Sequence, residues 1–238
     1  MGDSRAIGDW FPRQTLGSLP ADAAVRWGAR EALSFKGQRW SFSELSSSID
    51  RVARGLMSLG IEPAEHVALW MVNRPEFIDA AFAVMKIGAV LVPINTRFRT
   101  DDVAYILGQS DASTLIIAER SGPVDYLDMV RQLAPSLGKA GEVREAKFPR
   151  WQRLIVAGEK PRPGILDWNA LVREREGVDD AALRQRAVAV DPEATAFIMY
   201  TSGTTGFPKG VMHCHRIIRK VVDRAWRMAI TPADAIMM

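Results

Sequence analysis

Ala196-Phe197-Ile198-Met199-Tyr200-Thr201-Ser202-Gly203-Thr204-Thr205-Gly206-Phe207-Pro208-Lys209-Gly210 decides how this chain is read. Residues 196–200 are an apolar run of strand length, and the spacing predicts a buried strand running straight into a loop, with a helix after it. Gly203 and Gly206 permit positive φ and close approach of the main chain to a ligand. Successive N–H groups in such a turn form a nest for anions. Thr201, Ser202, Thr204 and Thr205 add hydroxyl donors, and Pro208 stiffens the chain before the positive charge of Lys209. Thr201, Ser202, Gly203, Thr204, Thr205, Gly206 and Lys209 are therefore the candidate ligands for the phosphates of a nucleoside triphosphate. A Walker A loop needs lysine directly after glycine. Here Phe207 and Pro208 intervene, which disfavours a P-loop kinase or GTPase. A merely flexible Ser/Thr/Gly surface loop seldom sits between a buried strand and a helix with one lysine at its far end.

Upstream, strand and helix signals alternate. Residues 32–35 and 39–42 flank Lys36-Gly37-Gln38 as a hairpin would. Ser41 and Glu44 have capping-box spacing. Leu45, Ile49, Val52, Leu56 and Leu59 then follow at helical intervals up to Gly60. Strands are expected at 67–72, 89–94, 114–118 and 153–157, and helices at 76–87, 100–107 and 126–133, with Thr100 as a cap. Residues 136–150 read as a surface excursion, 159–164 as a loop, 166–175 as a helix and 174–186 as a charged, solvent-facing stretch. A helix at 221–228 and the start of a buried strand at 234–238 complete the reading. Short, almost wholly apolar strands between helices predict an α/β fold with a parallel sheet covered on both faces. A chain that ends inside an apolar strand would leave an unpaired edge, so truncation is expected.

The 238 residues are 47% hydrophobic and 25% charged, as in a water-soluble globular protein. Net charge is +3, with acids and bases interspersed, so a basic arm for nucleic acid is excluded. Peripheral contact with an anionic membrane surface stays compatible with that charge. Cys214 is the sole cysteine, so no intramolecular disulfide forms. The start of the chain lacks the apolar core of a secretory signal. The apolar runs at 67–72 and 80–94 are too short, or too broken by Lys86 and Pro93, to cross a bilayer. A cytoplasmic place is expected.

His213, Cys214 and His215 would point in different directions at a helix start, which serves one metal ion poorly. His215 is expected to pack or hydrogen-bond near the loop, and His66 to be structural. The tryptophans are scattered, which suits packing better than base stacking. Asp101 and Asp102 are explained by the positive end of a helix.

The string from Tyr200 to Gly210, continued by Val211-Met212-His213-Cys214-His215, resembles the first core motif of the adenylate-forming superfamily, with His215 at the customary histidine position. That superfamily comprises acyl-CoA synthetases, luciferase-like enzymes and the adenylation domains of peptide synthetases. Arg39-Trp40-Ser41-Phe42-Ser43-Glu44-Leu45, Asn73-Arg74-Pro75-Glu76-Phe77, Gly88-Ala89 and Pro93-Ile94-Asn95 are similar to its upstream segments. The resemblance runs from about Leu16 onward and is greatest to fatty-acyl-CoA synthetases of the medium-chain type. It implies that residues 1–238 are a partial N-terminal AMP-binding domain, the remainder of the large domain and the C-terminal domain being absent. It implies ATP, Mg²⁺ and coenzyme A as partners with a carboxylic acid. Thr201 through Lys209 would hold the β- and γ-phosphates, with Thr201 near Mg²⁺. It assigns no catalytic residue within these residues, and the 238 residues alone are expected not to ligate. Two alternatives stand beside it: an adenylation domain that passes its acyl group to another acceptor, and a non-catalytic nucleotide-binding module. Acyl length and oligomeric state are not legible here.

Overall fold

Local signals start and stop most elements of the computed structural model, which describes residues 14–138, 141–158, 165–173, 178–201, 207–231 and 234–236. Pro20 lies in the first turn of α1 (Leu19–Trp27), where no N–H bond is lost. Strands β1 (Glu31–Phe35) and β2 (Gln38–Ser41) form an antiparallel hairpin. Its turn residues Lys36 and Gly37 have φ of 48° and 81°, the backbone a two-residue turn needs to match strand twist. Ser41 Oγ accepts the Glu44 N–H at 3.2 Å and Glu44 Oε2 accepts the Ser41 N–H at 2.8 Å. That reciprocal cap opens α2 (Phe42–Ser58), whose buried stripe is Ile49, Val52, Ala53 and Leu56.

The alternation then runs β3 (His66–Trp70), α3 (Pro75–Lys86), β4 (Val90–Pro93), α4 (Thr100–Ser110) and β5 (Thr114–Ala118). A small hairpin follows, of β6 (Arg120–Ser121) and β7 (Val124–Asp125), then α5 (Tyr126–Leu133) and β8 (Arg153–Ala157). Next come β9 (Leu166–Asp167), α6 (Trp168–Val172), α7 (Asp180–Val188), β10 (Thr195–Thr201), β11 (Lys209–Cys214) and α8 (Ile218–Arg227). The main sheet has the order β11-β10-β4-β3-β5-β8-β9. Every neighbouring pair is parallel except β10 with β11. All five residues of β5 are buried, as are four of β3, which requires cover on both faces. Among the described residues no helix is long and apolar enough to cross a membrane.

The structure corrects the sequence reading at several places. Residues 166–167 are a strand beside β8 before the helix begins. The charged stretch after residue 178 is helical, with the Asp179 carboxylate accepting the Ala182 N–H at 2.8 Å and Leu183 buried. Thr100 is the first helical residue of α4 rather than its cap, and Asp102 accepts the Arg99 N–H at 3.0 Å. The stretch at 136–150, expected to be a surface excursion, buries Val143 and Phe148 among its described residues. Residues 234–236 are exposed and form no strand. The expected loop at 159–164 lies outside the described residues.

Two glycines should respond oppositely to alanine. A Cβ on Gly55 would lie 2.2 Å from the Leu171 carbonyl oxygen, where α2 crosses α6, whereas one on Gly108 meets nothing within 4 Å. Helix propensity favours alanine by roughly 1 kcal/mol at either position, but backbone overlap costs about 1–3 kcal/mol. Urea denaturation is expected to show Gly55→Ala destabilised and Gly108→Ala stabilised.

Candidate functional site: the mouth of the β10–β11 hairpin

Strand β10 alternates, with Ala196, Ile198 and Tyr200 facing the core and Phe197, Met199 and Thr201 facing the other way. It joins the parallel sheet through β4, with Phe197 opposite Leu91. Its C-terminus therefore opens at the carboxyl edge of the sheet, where open α/β folds bind ligands. The return strand β11 pairs Met199 with Val211, Tyr200 with Gly210, and Thr201 with Lys209. Directly opposed residues share a face, so Thr201 and Lys209 emerge on the same face at the hairpin mouth. The connection between them is residues 202–208, and of the predicted ligands Ser202, Gly203, Thr204, Thr205 and Gly206 lie outside the described residues.

A helix was expected directly after this loop; a strand follows instead. Its burial shows no alternation, being exposed over Lys209–Met212, so period-two reading had nothing to detect. Because 213 and 214 are on a strand, His213 stacks on Phe197 with ring centroids 4.7 Å apart, while His215 enters a short 3₁₀ turn. Among the described residues no group of three His, Cys, Asp or Glu side chains could hold a metal ion.

Gly210 has a steric reason to be glycine. A Cβ there would lie 2.9 Å from Ile198 Cγ2 and 3.2 Å from Tyr200 Cζ. The tyrosine ring covers the glycine across the strands and fixes their register. The Tyr200 hydroxyl donates to Gln109 Oε1 on α4. Burial, with Tyr105 and Asp111 adding to it, pushes this phenol up to about 12, so it remains a donor. Beyond the loop, the Phe207 ring stacks on Tyr105 of α4, centroids 5.2 Å apart and planes at 28°. These contacts of α4 were not legible in the sequence, since nothing links 105 and 109 to 200 and 207 before the chain folds.

At the far end of β11, His215 is fully buried, and its Nδ1 accepts the Leu16 N–H at 3.1 Å. The ring proton therefore sits on Nε2. Burial, opposed by Asp191, pushes the imidazole down to about 4. His215 was expected to pack or hydrogen-bond near the loop; it lies instead at the opposite end of β11, buried against the chain's first described turn.

Another polar cleft, of about 640 Å³, opens beyond β3, β5 and β8 and is lined by Lys36, Arg74, Glu119, Arg120 and Gly158 among others. Its arginines are already engaged: Arg74 pairs with Glu76 at 2.6 Å and Arg120 with Asp125 at 2.7 Å. Lys209 makes no ion pair among the described residues. Lys36 of that cleft likewise makes no ion pair among the described residues, so each place offers a lysine to an anion.

Comparison with known proteins agrees with this geometry. Residues 21–238 match the AMP-binding enzyme family. YngI of Bacillus subtilis, provisionally named an acyl-CoA synthetase, is 36% identical over 225 residues, covering 92% of this chain and 41% of that protein. The long-chain-fatty-acid–CoA ligase FadD13 of Mycobacterium tuberculosis is 32% identical over 192 residues, covering 81% of this chain and 33% of the ligase. The chain therefore spans well under half the length of these relatives. Among solved structures, the anthranilate CoA ligase AuaEII in complex with anthranoyl-AMP superposes with a TM-score of 0.74 at 24% identity, over 91% of this chain and 38% of that one. That likeness is one of fold.

The buried imidazole makes stability depend on pH in a defined direction. An unfolded histidine takes up a proton near pH 6.5, while folded His215 stays neutral down to about 4. Between those values the unfolded chain binds the extra proton, so this histidine makes the fold less stable as pH falls. In urea titrations the stability advantage of the unaltered chain over His215→Asn is expected to shrink from pH 7 to pH 4.5. A constant advantage would contradict a neutral, buried His215.

Proposed function

The chain belongs to the AMP-binding enzyme family, and from that premise we propose that it supplies the triphosphate grip of an ATP-dependent acid:CoA ligase. The observation that carries the reading is the pairing of Thr201 with Lys209 across the hairpin mouth, at the carboxyl edge of a parallel sheet. Thr201, Ser202, Gly203, Thr204, Thr205, Gly206 and Lys209 hold the β- and γ-phosphates of ATP. Residues 1–238 form the N-terminal part of the large domain. A cytoplasmic place and a fatty acid of medium length complete the proposal; FadD13 among the relatives is named for fatty acids, but for long-chain ones.

The chemistry assigned to the whole enzyme has two steps. A carboxylate oxygen attacks the α-phosphorus of ATP. The bond from that phosphorus to the bridging oxygen breaks, and pyrophosphate leaves with the electron pair. The thiolate of coenzyme A then attacks the acyl carbon of the acyl-adenylate. A C–S bond forms, the C–O bond to AMP breaks, and AMP departs. The hairpin acts in the first step. Charge builds on the departing pyrophosphate, and fixed N–H, O–H and ammonium donors stabilise it without reorganising. Mg²⁺, when bound with ATP, would add positive charge there.

Isothermal titration of the chain with pyrophosphate tests this reading. A hydrogen bond to a charged group is worth about 1.5–3 kcal/mol, so Lys209→Ala is expected to weaken binding roughly 10- to 100-fold. Unchanged affinity contradicts the assignment. Incubated with ATP, coenzyme A and a medium-chain fatty acid, the 238 residues alone are expected to form no thioester, and steady turnover would refute that part.

A further inference from the structure

Helix α4 touches the phosphate loop at both of its feet. On the entry side the Tyr200 hydroxyl donates to Gln109 Oε1; on the exit side Phe207 stacks on Tyr105. Tyr105 and Gln109 are four positions apart, one above the other on a single helix face. One helical turn spaces them about 6 Å along the axis, close to the roughly 5 Å between neighbouring strands. The helix thus presents two contacts at the spacing of the two strands that carry the loop. It is itself firmly seated, with Val103, Ala104, Ile106 and Leu107 buried.

Core burial does not account for the exit contact, because Phe207 remains 65% exposed. Beyond it, Pro208 fixes its own φ, so the orientation of the Phe207 backbone passes to Lys209 with little slack. On the entry side the Tyr200 ring lies over Gly210 and ties β10 to β11 one residue behind Thr201 and Lys209.

We infer that Tyr105 and Gln109 are positioning residues: they grip the two feet of the loop and hold Lys209 opposite Thr201 at the spacing a triphosphate requires. This rests on the proposed triphosphate reading, and it adds a control element outside the loop motif. Neither side chain contacts the phosphates; both act through the loop.

The test uses the whole 238-residue chain, with ATP as the probe and amide hydrogen exchange as a ligand-free readout. An aromatic pair of this kind shifts an equilibrium about three- to ten-fold. Tyr105→Ala and Phe207→Ala are each expected to weaken ATP binding by that factor and to speed exchange at the Lys209 and Gly210 amides by a similar one. Tyr105→Phe keeps the ring and is expected to restore both readings to within about two-fold. The double variant Tyr105→Ala/Phe207→Ala is expected to be no worse than either single one, the mark of a shared contact. Gln109→Leu should speed the same two amides. Leu183→Ala, a core truncation on α7, which packs on α2, should lower the melting temperature without changing ATP affinity.

Should Tyr105→Ala not fold, Phe207→Ala removes the same contact from an exposed position. Exchange and ATP affinity that are both unmoved in Phe207→Ala and Gln109→Leu overturn the inference. If the unaltered chain takes up no ATP while the exchange effects persist, the triphosphate reading fails and the mechanical grip of α4 on the hairpin stands.

Discussion

The register between β10 and β11 is the constraint on which the site depends. Tyr200 lies over Gly210, where a Cβ would crowd Ile198 and the tyrosine ring. One residue further on, Thr201 therefore faces Lys209. A slip of a single residue would send the lysine to the opposite face of the sheet and leave the hydroxyl without its cationic neighbour. The anchor is steric and local. It needs only a glycine across from an aromatic ring, and it operates whether or not a ligand is present.

The parallel sheet gives that hairpin its position. Strands β4, β3, β5 and β8 are buried almost throughout, and their carboxyl edge collects the loops that must be polar. The antiparallel strand β11 is the outermost strand of the sheet, paired alongside β10, with an exposed run over Lys209–Met212. A strand that is half solvated can carry a lysine at its tip without a desolvation cost, while its inner end is held by the buried His215. Rigidity at one end and exposure at the other are what an anion-binding turn needs.

Much of this was legible before folding. The strands at 114–118 and 153–157 and the helix at 126–133 appear with those bounds, because their apolar runs and flanking breakers are unambiguous. The cap at Ser41 was readable from one dipolar spacing. The string from Thr201 to Gly210 stood out in composition, since glycines, hydroxyls and a lysine concentrate nowhere else in the chain; its role as a phosphate loop is the proposal made above. What escaped were the features that only tertiary contact defines. Lys209–Cys214 carries no alternation and so looked like the approach to a helix. The two residues of β9 are too few for any periodic signal. The Asp179 cap and the helix-forming run after it were overlooked because charge was read as solvation. The contacts of α4 with Tyr200 and Phe207 bridge about ninety residues or more of sequence and leave no local trace.

The claim that the hairpin mouth is the polyanion site is tested most directly by mapping backbone and lysine ammonium resonances while inorganic pyrophosphate is added to the chain. The account predicts that shifts centre on Thr201, Lys209 and Gly210 and that the Lys209 ammonium becomes protected from exchange. Shifts centred instead on Lys36, Arg120 and Gly158, with Lys209 unmoved, would place the anion in the other cleft and contradict it.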